Sequence, residues 1–190
     1  MQLFKYSSFS FIQKKGNKRE QKDEKLIIIN GTMGAGKSTV SEQLLKETEN
    51  SIYLDGDWCW NMNPFTVNEE NIEMVLKNII FLLRSFLNNS NFQYIIFCWV
   101  MHKEEIFKNI LNEIRDLDFE LYIFTLLCNE TELARRIAGD IKTGKRETGQ
   151  INESISRLEL YKNMDTYKID VSNKTPKEVV EEIRRRVKPQ

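Results

Sequence analysis

Short apolar runs alternate with longer amphipathic segments along most of the chain. The apolar runs are rich in β-branched and aromatic residues and predict strands at 26–30, 51–54, 93–100, 120–127 and 166–171. Segments with an apolar residue at every third or fourth position predict helices at 37–48, 69–88, 103–117, 130–139, 152–163 and 176–187. Because strands that alternate with helices form parallel sheets covered on both faces, this order predicts an α/β fold.

Two of the predicted helices carry additional local signals. Thr175 followed by Pro176 is typical of a helix start, since the Thr side chain caps the first turn and Pro needs no backbone donor there. The 69–88 pattern puts its apolar side chains on one face, namely Ile72, Val75, Leu76, Ile79, Leu83 and Phe86. Both signals support the alternating order of elements.

The size and charge of the chain narrow its class. Its 190 residues are enough for one domain with a substantial core. The 28 basic residues balance the 28 acidic residues, so no overall field attracts nucleic acid or an anionic membrane. No apolar run approaches the roughly 20 residues of a membrane span. We expect residues 1–24 to form a disordered or loosely docked extension and residues 25–190 to form the domain.

The three cysteines fit a reducing compartment. Cys59, Cys98 and Cys128 are odd in number and lack the spacing of a metal-binding or redox pair. Cys98 and Cys128 lie in apolar, strand-like runs, which favours buried reduced thiols. We therefore expect a cytoplasmic protein.

The segment that follows the first predicted strand carries the most specific signal. Gly31-x-x-x-x-Gly36-Lys37-Ser38 is the pattern of a phosphate-binding loop (P-loop), and a helical segment follows it. Its glycines allow a tight turn whose N–H groups face a phosphate, Lys37 adds a cation, and the Ser38 hydroxyl can complete an Mg²⁺ shell. The predicted nucleotide-binding residues are Gly31, Met33, Gly34, Ala35, Gly36, Lys37, Ser38 and Thr39.

Two carboxylates follow the second predicted strand, at Asp55-Gly56-Asp57. Ligands of open parallel sheets bind beyond the carboxyl ends of the strands, so these side chains are expected beside the P-loop. We expect Asp57 to accept the proton of an acceptor hydroxyl and Asp55 to lie in or near the metal shell. The two roles could also be exchanged, and Asp-Gly-Asp is in addition ordinary turn chemistry.

Other residues near the predicted strand ends are candidates for substrate contacts. His102, the only histidine, follows the third strand and could either orient an acceptor or serve a structural role. No second histidine or cysteine cluster accompanies it, so a zinc site is not expected. Trp58 and Trp60, with Phe65 and Trp99 nearby, could belong to the core or could wall a pocket for a flat or apolar acceptor. The predicted substrate residues are Asp55, Asp57, Trp58, Trp60 and His102.

The P-loop and the Leu54-Asp55-Gly56-Asp57 segment together resemble the P-loop small-molecule kinases, which include gluconate kinases, adenylylsulfate kinases, chloramphenicol phosphotransferases and zeta-type toxins. In that group the acid that closes the second strand acts as the base, and Asp57 is its best match. Residues 26–187 are also similar to an uncharacterised bacterial set of ATPase- or nucleotide-kinase-like proteins, through the signatures at 54–60, 63–65 and 97–102. The resemblance implies a three-layer α/β/α P-loop NTPase fold with a five-stranded parallel sheet.

The same resemblance implies a helical lid at about 130–163. In small P-loop kinases such a lid closes over the nucleotide and supplies arginines to the transferring phosphate, whose charge a guanidinium can match. By position the candidates are Arg136, Arg146 and Arg157. A solvated charged face is the alternative for some of them. The 170–176 segment resembles the loop that borders the adenine in nucleotide kinases.

The third predicted strand departs from the usual pattern, because Cys98 and Trp99 stand where many P-loop ATPases carry an acid. This departure argues against a motor ATPase, which needs an acid there to organise metal and water. We therefore expect an ATP- and Mg²⁺-dependent kinase that phosphorylates a hydroxyl of a small molecule. The alternatives are a toxin-like nucleotide-sugar kinase and an ATP-binding regulator without acceptor phosphorylation. We expect a monomer or homodimer with no nucleic-acid or membrane partner.

Overall fold

The computed structural model describes residues 24–144 and 150–187. Five parallel strands form one sheet in the order β2-β3-β1-β4-β5. The strands are β1 (Lys25–Gly31), β2 (Ser51–Asp55), β3 (Tyr94–Cys98), β4 (Glu120–Leu127) and β5 (Tyr167–Asp170). The predicted α/β fold with a five-stranded parallel sheet is confirmed.

Helices connect the strands and cover both faces of the sheet. In the described ranges they are α1 (Lys37–Glu47), α2 (Glu69–Leu87), α3 (Glu104–Glu113), α4 (Glu130–Lys142), α5 (Gln150–Ser156), α6 (Leu158–Lys162) and α7 (Pro176–Val187). A short 3₁₀ helix, Gly56–Trp60, follows β2 directly. The predicted start of α7 is correct, because the Thr175 hydroxyl accepts from the backbone N–H of Glu178 while Glu178 accepts from Thr175.

Side chains alternate between two apolar layers, one on each face of the sheet. In β1, Ile27 and Ile29 pack on one face, whereas Leu26 and Ile28 pack on the other. Helices α1 and α7 cover the first face, and α2 and α3 cover the second. In α2 the buried residues are Val75, Ile79, Leu83 and Leu87. The predicted apolar face therefore exists, but Ile72 at its start is 41% exposed.

Several predicted boundaries differ from the structure. The third strand ends at Cys98 instead of residue 100 because the Asn30 side chain, rather than a strand backbone, pairs with Met101. Helix α3 ends at Glu113, before the predicted residue 117. The single helix predicted at 152–163 is divided into α5 and α6, with Arg157 between them.

The described cysteines are all free, and Cys98 and Cys128 are buried as expected. Within the two described ranges, no helix is long and apolar enough to cross a membrane.

Candidate active site at the carboxyl ends of the strands

The sheet order brings the P-loop and the end of β2 to one edge. Asp55 in β2 lies opposite Cys98 in β3, and Cys98 lies opposite Ile29 in β1. The residues that follow β1 form the P-loop, so three strand ends meet around it. This placement is the one that open α/β sheets use for their ligands.

The P-loop has a backbone that only glycine adopts easily. Gly34 has a φ of 83° and Gly36 a φ of 93°, both in the left-handed region. A Cβ atom on Gly34 would also lie 2.7 Å from Cγ1 of Ile137 in α4. Lys37 is buried, and its ammonium donates to the carbonyl of Thr32 at 3.1 Å. The loop is therefore compact, and α4 packs directly against it.

A buried polar network joins the P-loop to the end of β2. Oδ2 of Asp55 accepts hydrogen bonds from the hydroxyls of Ser38 and Tyr53, both at 2.8 Å, and from Sγ of Cys98 at 3.3 Å. Its Oδ1 accepts from the backbone N–H of Asp57 at 3.0 Å, which starts the 3₁₀ helix. Asp55 is only 7% exposed. Every hydrogen bond described for this carboxylate therefore comes from a neutral donor.

The Cys98 thiol and the Tyr53 phenol, which both donate to Asp55, stay protonated at neutral pH. Burial, with the negative charge of Asp55, raises the pKa of the Cys98 thiol to about 12. Burial also raises the pKa of the Tyr53 hydroxyl well above its usual 10.0, with further increases from Cys98 and Asp55. A thiol and a phenol with such pKa values donate hydrogen bonds and carry no charge.

The segment after Asp55 turns outward and is rich in exposed aromatic surface. Asp57 is exposed, and the neighbouring Trp58 is 58% exposed, with its ring set edge-on to Tyr53 at 5.1 Å between centroids. The rings of Trp60 and Phe65 also contact each other, with their centroids 5.8 Å apart. These side chains thus extend beyond the core at the same strand end as the carboxylates.

Trp99 closes the base of this aromatic region. Its indole packs on the backbone of Gly56, where an added Cβ would lie 2.5 Å from Cγ of the ring. Glycine at position 56 therefore permits the close contact between the ends of β2 and β3.

His102 and Arg157 lie close enough to interact electrostatically. Burial, the positive charge of Arg157 and that of Lys103 lower the pKa of His102, while Glu153 acts in the opposite direction. Arg157 also donates to Glu153 at 2.5 Å. Nδ1 of His102 is buried and has no hydrogen-bond partner in the described part of the chain. The lowered pKa favours the neutral imidazole near pH 7, and the ring as a whole is partly exposed although its Nδ1 atom is buried.

Arg136 lies against the P-loop instead of pointing into solvent. Its guanidinium donates to the carbonyl of Ala35 at 3.3 Å, to that of Val171 at 2.8 Å and to Glu132 at 2.8 Å. It thereby connects α4 with the P-loop and with the loop after β5. Arg146, the third arginine predicted for the lid, lies outside the described residues.

The remaining predicted nucleotide-binding residues all belong to the P-loop or the first turn of α1. Gly31, Met33 and Thr39 lie at the same strand end as Ser38. Among the described residues, no group of three or more His, Cys, Asp or Glu side chains could hold a metal ion. The hydrogen-bonded Ser38 and Asp55 pair instead fits a Mg²⁺ ion that arrives with nucleotide phosphates, since Mg²⁺ uses few protein ligands in such sites.

A cavity of about 390 Å³ lies elsewhere. Residues at the opposite end of the strands line it, including Asn50 and Tyr94 as well as Arg184 of α7. It is therefore separate from the site that the P-loop and Asp55 form.

The chain matches one family over most of its length. Residues 27–160 match the family described as an AAA domain, and the chain belongs to that family. A comparison with curated proteins finds no match.

Several solved structures share the fold. A Deinococcus radiodurans tunicamycin resistance protein superposes with a TM-score of 0.69 at 16% identity, covering 88% of this chain and 97% of the other. A gluconokinase from Sinorhizobium meliloti 1021 gives a TM-score of 0.61 at 18% identity, with coverage of 86% and 90%. Shikimate kinase from Acinetobacter baumannii, in complex with shikimate, gives 0.58 at 14% identity, with coverage of 87% and 94%. The predicted resemblance to P-loop small-molecule kinases is confirmed at the level of fold.

Sequence reasoning did not identify two side chains that shape the site. Tyr53 lies two residues before Asp55, and this spacing in a strand puts both side chains on one face, so the pattern contained a signal for it. Thr32, by contrast, donates to the backbone carbonyl of Ser154 in α5 at 3.0 Å. No sequence pattern predicts this hydrogen bond, because its acceptor is a backbone atom of a residue distant along the chain.

Proposed function

We propose that the protein is an ATP- and Mg²⁺-dependent kinase that transfers the γ-phosphate to a hydroxyl of a small molecule. The 2.8 Å hydrogen bond between Ser38 and the buried Asp55 carries this proposal, since a P-loop hydroxyl joined to a carboxylate suits a metal beside phosphates. The exposed carboxylate of Asp57 supports it further, because it offers a base to an acceptor from solvent.

The chain's own groups divide the reaction between them. The P-loop amides and the Lys37 ammonium bind the β- and γ-phosphates. Asp57 accepts the proton of the acceptor hydroxyl while the oxygen of that hydroxyl forms a bond to the γ-phosphorus. The bond from the γ-phosphorus to the β–γ bridging oxygen breaks, and ADP is released. Magnesium held at Ser38, with Asp55 beside it, would neutralise phosphate charge. Arg157 and the lid residue Arg146 would stabilise the charge that develops on the transferring group.

Arg136 has a different role in this proposal. Its bonds to Ala35 and Val171 hold it between the P-loop and the loop at 170–176, which favours a contribution to nucleotide binding. Because that loop resembles the one bordering adenine in nucleotide kinases, we propose ATP as the phosphate donor.

The acceptor would bind beside the exposed aromatic residues. Trp58 and Trp60 would wall its pocket, and the partly exposed ring of His102 would contact a polar group of the acceptor. The kinase would act in the cytoplasm, as a monomer or homodimer. The balanced charge of the chain supports the lack of a nucleic-acid or membrane partner, and the free cysteines support a reducing compartment.

The test is ADP release from Mg-ATP, measured with and without a small-molecule extract of cells. We expect extract-dependent turnover that Asp57→Asn abolishes and that Asp118→Asn, an exposed carboxylate before β4, leaves intact. Fractionation of the extract would then identify the acceptor. ATP binding without any extract-dependent turnover would contradict the kinase proposal and favour an ATP-binding regulator.

A further inference from the structure

The Asp55 carboxylate, which the proposed function puts beside the metal, belongs to β2 and reaches the P-loop past β3. In the sheet order, β3 lies between β2 and β1, so Asp55 in β2 must extend past Cys98 to contact Ser38. Oδ2 of Asp55 lies 2.8 Å from the Ser38 hydroxyl, whereas Sγ of Cys98 lies 4.0 Å from it. The small side chain at position 98 therefore leaves room for a carboxylate that belongs to another strand.

The side chains around Asp55 direct it toward Ser38. The Tyr53 hydroxyl donates to Oδ2 at 2.8 Å and the Cys98 thiol donates to the same oxygen at 3.3 Å. The Tyr53 hydroxyl oxygen and Sγ of Cys98 lie 3.1 Å apart, so the two donors are in contact with each other. Tyr53 is 7% exposed and Cys98 is fully buried, so water does not replace either donor easily.

We propose that Tyr53 and Cys98 are positioning residues that hold the Asp55 carboxylate against Ser38, so that this site takes its metal-side acid from β2 instead of β3. The inference rests on the proposed function, in that Ser38 and Asp55 bind a divalent ion together with a nucleotide. Neither Tyr53 nor Cys98 touches the substrate, and both act through Asp55.

The consequence for the metal follows from the direction of the hydrogen bonds. While the Ser38 proton is donated to Asp55, the oxygen lone pairs of Ser38 remain available to a divalent ion. Without the Tyr53 hydroxyl or the Cys98 thiol, Asp55 can rotate and the Ser38 hydroxyl loses its fixed direction. Partners that orient metal ligands in this way typically contribute about ten-fold or more to metal affinity.

The experiment measures Mn²⁺ binding to the ADP complex of the full chain by electron paramagnetic resonance. Tyr53→Phe keeps the ring and its contact with Trp58, and we expect it to weaken Mn²⁺ binding about ten-fold. Cys98→Ala should weaken it in the same direction, whereas Cys98→Ser, which retains a donor, should stay near the wild-type value. Tyr122→Phe is the matched control, because its hydroxyl donates to Glu120 at the start of β4.

A second measurement separates positioning from general damage. ADP affinity in excess EDTA should be the same for wild type, Tyr53→Phe and Cys98→Ser, and a cooperative thermal unfolding transition in each variant shows that it is folded. A loss of metal-free ADP affinity equal to the loss of Mn²⁺ affinity would overturn the proposal, and so would unchanged Mn²⁺ affinity in both Tyr53→Phe and Cys98→Ala.

Cys98→Asp tests the strand from which the acid comes. A carboxylate at position 98 would meet that of Asp55 in a buried space, and the two like charges would repel each other. We expect weaker Mn²⁺ binding, and equal or tighter binding would overturn the proposal. The Mn²⁺-binding assays need no acceptor. The positioning role of Tyr53 and Cys98 can therefore be refuted independently of acceptor phosphorylation. If wild type shows no metal-dependent ADP binding, both proposals fall.

Discussion

On the phosphate side of the site, Lys37, Thr32 and Asp55 are buried and hydrogen-bonded within the chain, whereas on the acceptor side Asp57 and Trp58 stand exposed. The phosphate side is therefore organised by hydrogen bonds within the chain. The acceptor side presents aromatic surface and the partly exposed ring of His102 to an incoming molecule. In the proposed kinase, the phosphate side would bind the nucleotide and the acceptor side would determine which molecule is phosphorylated.

The largest expected effect comes from removing the cation of the phosphate side. Lys37→Met should reduce phosphoryl transfer by about 10²–10³-fold, because it removes the ammonium that binds the β- and γ-phosphates in the proposed mechanism. Initial rates with Mg-ATP measure the loss. Lys46→Met, on an exposed face of the same helix, is the control and should retain activity. Equal losses in both variants would show that helix damage, and not phosphate binding, is responsible.

Asp57→Asn sharpens the comparison between the two sides. It should lower kcat by about 10²–10⁴-fold with little change in Mg-ADP affinity, because the lost group acts on the acceptor hydroxyl. Asp55→Asn should instead weaken Mg-ADP binding, since it removes charge beside Ser38. Steady-state kinetics and calorimetric titration distinguish the two patterns. Weaker Mg-ADP binding in Asp57→Asn would contradict the assignment of separate roles.

Gly34→Ala should break the phosphate side through packing. Its Cβ would lie 2.7 Å from Ile137 at a φ of 83°, so we expect a loss of about 1–3 kcal/mol in the free energy of unfolding, together with weaker nucleotide binding. Urea unfolding measures the loss. Gly139→Ala is the control, since nothing lies within 4 Å of its Cβ and alanine favours helices. Unchanged stability in Gly34→Ala would contradict the close packing of α4 on the P-loop.

Trp58→Ala should affect only the acceptor side. We expect the KM for the acceptor to rise roughly ten-fold from the lost aromatic contact, with the KM for ATP unchanged. Trp58→Phe should show a smaller effect because it keeps a ring. A rise in the KM for ATP in Trp58→Ala would show that the two sides are not independent.

The smallest effect concerns the pH dependence of stability. His102 has a lowered pKa in the folded protein, so the unfolded chain binds its proton more readily. The stability that the neutral imidazole contributes is therefore complete above its ordinary pKa of 6.5 and is lost as the pH falls through the lowered value. Urea unfolding at about pH 7.5 and about pH 5.5 should show a decrease for wild type that His102→Gln lacks. An identical decrease in both would assign the pH dependence to other groups.

The elements that depend on periodicity and on glycine were predictable, and those that depend on distant contacts were not. The strands and the P-loop follow from local patterns. Asp55 could be placed beside the P-loop because ligands of open parallel sheets bind beyond the carboxyl ends of the strands. The 3₁₀ helix at 56–60 was missed because it depends on the Asp55 side chain that caps it and on the indole of Trp99, which follows β3. The links of Arg136 to Ala35 and Val171 likewise arise only when α4 packs on the sheet.

Asn30 links the start of the P-loop to the segment that carries His102. This buried side chain immediately precedes Gly31 and forms two hydrogen bonds with the backbone of Met101, at 2.9 Å and 3.0 Å. The residue after Met101 is His102. The start of the P-loop and the acceptor-side histidine are thus separated by one amide side chain and a pair of hydrogen bonds. Thermal displacements of the two should therefore be correlated, so that a donor phosphate and an acceptor would keep their spacing as the domain fluctuates.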